Sequence, residues 1–133
     1  MSRSGYVDDY EEPGLLNLWR ANVGRTLSGK RGQAFLREMA AALDAMPVKE
    51  LIAHELVSET GAVCAIGSVA VARKLDVSEL DPGEPDDVSA AFGISCVMTR
   101  EIVYENDEIV YNETPAARWL RMRKWVADHL VSS

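Results

Sequence analysis

Two cysteines and two histidines, Cys64, Cys96, His54 and His129, are the residues of this chain best suited to nucleophilic chemistry. Cys64 stands just ahead of a segment whose composition predicts a helix. A helix N-terminus lowers a thiol's pKa, and the thiolate becomes a nucleophile once a base is at hand. His54 is the nearer base, placed across a predicted turn from Cys64. No further signature accompanies the pair, and Cys64 lies in a run of small uncharged residues. A packed, inert thiol is therefore the reading the composition favours, and no catalytic residue is assigned.

Oxygen ligands are more abundant. Asn106, Asp107 and Glu108, with Glu105 and Glu113 nearby, are of the type that hard cations take. They lack the alternating spacing and central glycine of a calcium loop, and no histidine or cysteine pair has zinc spacing. No glycine pattern matches a phosphate or dinucleotide loop. Helix capping and solubility account for these side chains, and neither a metal nor a cofactor is expected.

Asp87 to Ile102 has the outline of a helix-turn-helix. A helix ends at Gly93, Ile94 packs inward and Ser95 caps a second helix. Two departures count against DNA binding. Thr99 stands where an apolar residue is usual, and the second helix carries Glu101 and Glu105 against Arg100 alone. Carboxylates on a recognition helix face a dense row of phosphates and are costly there.

The net charge of −7 argues against general binding to nucleic acid or anionic membranes. Its distribution is uneven. From Pro13 to Arg37 every charge is positive (Arg20, Arg25, Lys30, Arg31 and Arg37), and Arg118, Arg121, Arg123 and Lys124 make the last helix basic. From Asp76 to Glu108 the acids are Asp76, Glu79, Asp81, Glu84, Asp86, Asp87, Glu101, Glu105, Asp107 and Glu108, with Arg100 the single base. These acids either attract the basic segments within one domain or form one face that meets a partner protein with a basic surface.

The elements that must position these groups are organised around Gly61 to Ala72, the longest uncharged run, made of small and β-branched residues that can be enclosed on every side. It predicts a short strand, Ala62 to Cys64, followed by a buried helix from Ala65 to about Leu75. Leu51 to Val57 pairs with that strand as a small β-hairpin through the turn Ser58 to Gly61. Residues Met1 to Glu12 read as a flexible acidic tail closed by Pro13-Gly14. Leu15 to Leu27 carries a stripe of Leu16, Trp19, Val23 and Leu27, and after a turn at Ser28 to Gly32 comes a helix from Gln33 to Met46. Pro85 to Phe92 is a short helix with proline in its first turn, and Cys96 to Glu105 follows. Thr114-Pro115 opens a last helix on which Trp119, Met122, Val126 and Leu130 share a face.

The fold class is mainly α within α+β: a compact bundle of five to six helices with one small β-hairpin, forming a single domain over residues 13–133 behind the tail. A chain of 133 residues suits one core. No window approaches the roughly 18 apolar residues of a membrane helix, and the first residues lack an apolar signal core. A cytosolic location with reduced thiols is expected.

Five stretches carry a family resemblance. They are Arg31-Gly32-Gln33-Ala34-Phe35-Leu36-Arg37, Cys64-Ala65-Ile66-Gly67, Ala91-Phe92-Gly93-Ile94, Arg100 to Glu108, and Arg118 to Val126. Together they resemble a family of small proteins from bacteriophages and prophages, over most of the chain beyond the tail. The likeness implies an accessory protein of a mobile element in a bacterial cytoplasm. Small acidic proteins of such elements act by binding a host protein, and inhibition of a host defence complex, in the manner of anti-CRISPR proteins, is the mode the resemblance implies. It implies no catalytic residue.

Overall fold

The computed structural model describes residue 3 and residues 22–131. The expected tail, apart from Arg3, and the beginning of the expected first helix, with Leu16 and Trp19, lie outside the described residues. Six helical segments are present among them. α1 covers residues 22–28. α2 is Lys30–Ala45, α3 Ala65–Arg73, α4 Pro85–Phe92, α5 Cys96–Asp107 and α6 Pro115–His129.

From α3 to α6, each helix starts where a side chain or a proline supplies what the first turn lacks. Cys64 caps α3 through its sulfur, Ser95 caps α5 by accepting from Met98 N, and Thr114 caps α6 by accepting from Ala117 N. Pro85 and Pro115 occupy the first turn of α4 and α6, where no N–H is missed. Gly93 ends α4 in the left-handed conformation that only glycine adopts without strain. α2 begins at Lys30, earlier than the turn at Ser28 to Gly32 implied. Gly29 alone separates it from α1, and Gly32 is inside the helix, where a side chain would press on the Leu27 carbonyl oxygen at 2.9 Å. The small residue at 32 serves close packing and not a turn.

Buried side chains from every helix meet in one core. Leu36, Met39 and Leu43 of α2 lie with Ile66 and Val69 of α3, Val88 of α4, Met98 and Ile102 of α5, and Met122 and Val126 of α6. α2 packs against α3 and α6, α4 against α5, and α5 against both α3 and α6. Polar clasps fix these pairings at the surface. Arg73 grips Glu38 with two 2.6 Å bonds, donates to Phe92 O, and stacks over Phe35 and Phe92, which joins α2, α3 and α4. Arg123 holds Asp44 across α6 and α2, and Trp119 Nε1 donates to Leu43 O.

The β-hairpin does not form. Segment 51–64 makes one isolated antiparallel bridge, Val57 with Val63, and no strand. The turn itself is present, with Ser58 N bonded to Ala62 O and Gly61 at φ +87°. Cys64 N still donates to Leu56 O and Ile52 N to Val63 O, but other backbone groups a longer ladder would need are taken by other elements. Leu51 N donates to Pro115 O, Leu51 O accepts from Arg118, Ile52 O accepts from Asn106, and His54 N donates to Asp107. The segment is an irregular strap laid against the helices. Its carbonyl at Leu56 runs against α3 at Gly67, where a Cβ would stand 2.8 Å from the Leu56 carbonyl carbon and closer still to its oxygen.

Candidate functional site

The ten acids expected to form one surface divide into two groups. Asp76, Glu79, Asp81 and Glu84 lie on the loop between α3 and α4, and Asp86 and Asp87 in the first turn of α4. All six are exposed. Buried Val77 and half-buried Leu80 pin the loop to the core, so the carboxylates are turned outward. Asp76 Oδ1 accepts from Ser78 N at 2.9 Å and Asp81 Oδ1 from Gly83 N at 2.8 Å, which tightens the loop locally. The Ser78 amide and hydroxyl hold the Asp76 carboxyl below the usual aspartate range. Asp86 stands beside Cys96, whose thiol is pushed up to about 11, first by burial and then by that carboxylate. None of the six makes an ion pair among the described residues.

Glu101, Glu105, Asp107 and Glu108 do not extend that face. α5 is covered along its whole length, so Glu101 and Asp107 are buried while Glu105 and Glu108 are half-buried. Glu105 meets Arg121 at 3.5 Å, and Glu101 and Glu108 are also partnered. The same cover bears on the helix-turn-helix outline. α4 ends at Gly93 and α5 follows from Cys96, in the order that outline gives, yet no residue of α5 is exposed, and Arg100 is itself buried. Thr99 shares a 2.8 Å hydrogen bond with Ser89 of α4, which fills its position with a polar pair between the two helices.

Three guanidinium groups converge on the last turn of α5. Arg121 donates to Glu105 O at 2.7 Å and is held by Glu113 through bonds of 2.7 and 2.9 Å. Arg118 donates to Asn106 O at 3.1 Å. Cations belong at the negative end of a helix dipole, and here they satisfy carbonyls that the helix leaves open. The third is Arg3. Its Nε and Nη2 each donate to the Asp107 carboxylate at 2.6 Å. Asp107 also accepts from Asn106 Nδ2 at 2.8 Å and from His54 N at 3.2 Å. Burial alone would raise this carboxyl's pKa, but the bonds and charge of Arg3 outweigh it and hold it below the usual range. Asn106, 1 % exposed, spends its other contacts on Ala65 N and Ile52 O, joining the first turn of α3 to the strap. Asn106, Asp107 and Glu113 are thereby committed to arginines and amides. Among the described residues no group of three or more such side chains is arranged to hold a metal.

Cys64 lies at this junction. It is 1 % exposed, accepts from Gly67 N at 3.4 Å, and has Arg3 Nη1 at 3.8 Å from its sulfur. The His54 ring points elsewhere: it is 72 % exposed, with Nδ1 3.7 Å from Asp107 Oδ2. His129 stacks on Trp125 at the far end of α6. The arrangement brings Cys64 to an arginine and a helix N-terminus, and brings His54 to a carboxylate. Arg3 is the partner that sequence reasoning missed, because a lone charged residue in an unpatterned stretch carries no periodic signal.

One apolar groove of about 460 Å³ opens between the end of α2, the outer face of α3 and the strap. Met46, Val48, Val63 and Val71 line it. Its one buried hydroxyl, Ser68 Oγ, is bonded to Ala65 O at 2.6 Å, and the exposed Glu50 and Thr60 stand at its edge. No helix among the described residues is long and apolar enough to cross a membrane. Compared with protein-family models, curated proteins and solved structures, the chain matches none of them.

Proposed function

We propose that this chain is a non-catalytic binding protein that offers an acidic face to a partner protein with a basic surface. The observation that carries the reading is the cluster Asp76, Glu79, Asp81, Glu84, Asp86 and Asp87: six exposed carboxylates without an ion pair among the described residues. Elsewhere Glu38, Asp44, Glu105, Asp107 and Glu113 are each matched to an arginine. Unpaired like charges held on a pinned loop repel one another, and a cationic partner relieves that repulsion and is steered by it.

The resemblance to phage and prophage proteins extends the proposal to the partner's class. A bacterial defence complex with a basic nucleic-acid channel has the complementary charge, and occupying that channel would inhibit it. The covered α5 favours this reading over DNA binding through the helix-turn-helix, because no face of α5 is left to enter a groove.

The test uses the native chain and a variant in which all six acids are replaced by their amides. Each is immobilised as bait for bacterial lysate at low salt. The expected result is one specific partner held by the native chain, released as salt rises and absent from the variant. No specific partner, or the same partner on both baits, overturns the reading.

A further inference from the structure

Between Leu51 and Leu56, both buried, the strap makes a short excursion of four residues. Ile52 and Ala53 are half-buried, and His54 and Glu55 are exposed. His54 sits at φ +72°, a conformation that non-glycine residues adopt only when their surroundings hold them there. What holds it is the bond from its own N–H to the Asp107 carboxylate. That carboxylate is in turn gripped by Arg3, which also lies against the Cys64 sulfur.

We propose that Arg3 and Asp107 form a latch. It closes the flap 52–55 and covers the Cys64 thiol, and the flap opens as a local unit, hinged at Leu51 and Leu56, while the helical core stays folded. The flap belongs to no strand and little of it is buried. Its ends are anchored by core leucines, one backbone bond ties Ile52 N to Val63 O, and its middle is tied to α5 by side chains of Asn106 and Asp107. Segments with few buried apolar contacts and strained backbone lie at the low end of a protein's opening free energies. Arg3 and Asp107 are 104 residues apart in the chain, so their contact is tertiary and belongs to no helix or turn. The thiol serves here as the reporter of opening; no reaction at Cys64 is implied.

The experiment follows thiol labelling in a Cys96→Ala chain, where Cys64 is the only cysteine. In the native sequence the labelling rate is expected to rise weakly with urea, with a slope well below that of global unfolding by circular dichroism. Arg3→Ala is expected to label at least tenfold faster with the same shallow slope and native helical content, and Arg3→Lys to fall between. A labelling rate in the native sequence that carries the full urea dependence of global unfolding overturns the latch, whether or not the variants fold. So does an Arg3→Ala rate equal to the native one.

Discussion

Gly67→Ala tests the closest contact in the fold. Gly67 is buried in α3, and the added Cβ would meet the Leu56 carbonyl carbon at 2.8 Å and Val63 Cβ at 3.2 Å. The obstacle is backbone, which cannot rotate away as a side chain would. Overpacking of this kind costs about 3 kcal/mol, the upper part of the usual range. Alanine's helix propensity returns about 1 kcal/mol, which leaves a net loss of about 2 kcal/mol. With a urea dependence of about 2 kcal/mol per molar for a chain of this size, the unfolding midpoint falls by about 1 M. Gly24→Ala is the control. Gly24 lies in α1 with nothing within 4 Å of the added carbon, so the same chemical change raises stability by about 0.5–1 kcal/mol. Urea unfolding of the two variants beside the native chain decides the matter. If Gly67→Ala matches or exceeds the native midpoint, the strap does not press on α3 and the description of the junction fails.

Three further outcomes are expected. Asn106→Ala leaves the Ala65 N–H and the Ile52 carbonyl without their buried partner, at a cost of about 2–3 kcal/mol in urea unfolding; a loss under about 1 kcal/mol would refute that role. Asp107, held below its ordinary 3.8, binds its proton more weakly folded than unfolded. Its stabilisation is therefore complete above that value and is lost as pH falls through the folded value. Asp107→Asn should lower stability at neutral pH and flatten its decline in acid, and an unchanged acid limb would count against the pair. Cys96, with its thiol pushed up to about 11, should alkylate slowly at pH 8 and accelerate through pH 10, and Asp86→Asn should move that profile down. A rate that levels off near the ordinary value of 9.0 in the native chain would contradict the assigned environment.

Helix starts were legible because they are written locally. Thr114-Pro115, Ser95 and Pro85 each supply a cap or a fixed φ within a few residues of the turn they open. The buried run from Cys64 was legible from its lack of charge. The strap was not. Its composition matches a hairpin, but pairing depends on whether a ladder partner or a distant side chain wins each backbone group, and here Asn106, Asp107 and Arg118 win. The acidic face was half legible for the same reason. The acids from Asp76 to Asp87 sit beside turn residues and stay outside, whereas Glu101 and Asp107 share a helix with Met98, Ile102 and Val103 and are drawn in with it.

The contact between Arg3 and Asp107 joins residues 104 positions apart, and this bears on the order in which the molecule assembles. Closing so long a loop gains nothing until α5 has already docked, so the ion pair is expected to form after the rate-limiting barrier to folding, which the refolding and unfolding rates of Arg3→Ala would check. Its removal would leave the refolding rate nearly untouched and appear as faster unfolding. The buried pair thus acts as a late fastener that lengthens the lifetime of a structure the helices have already found.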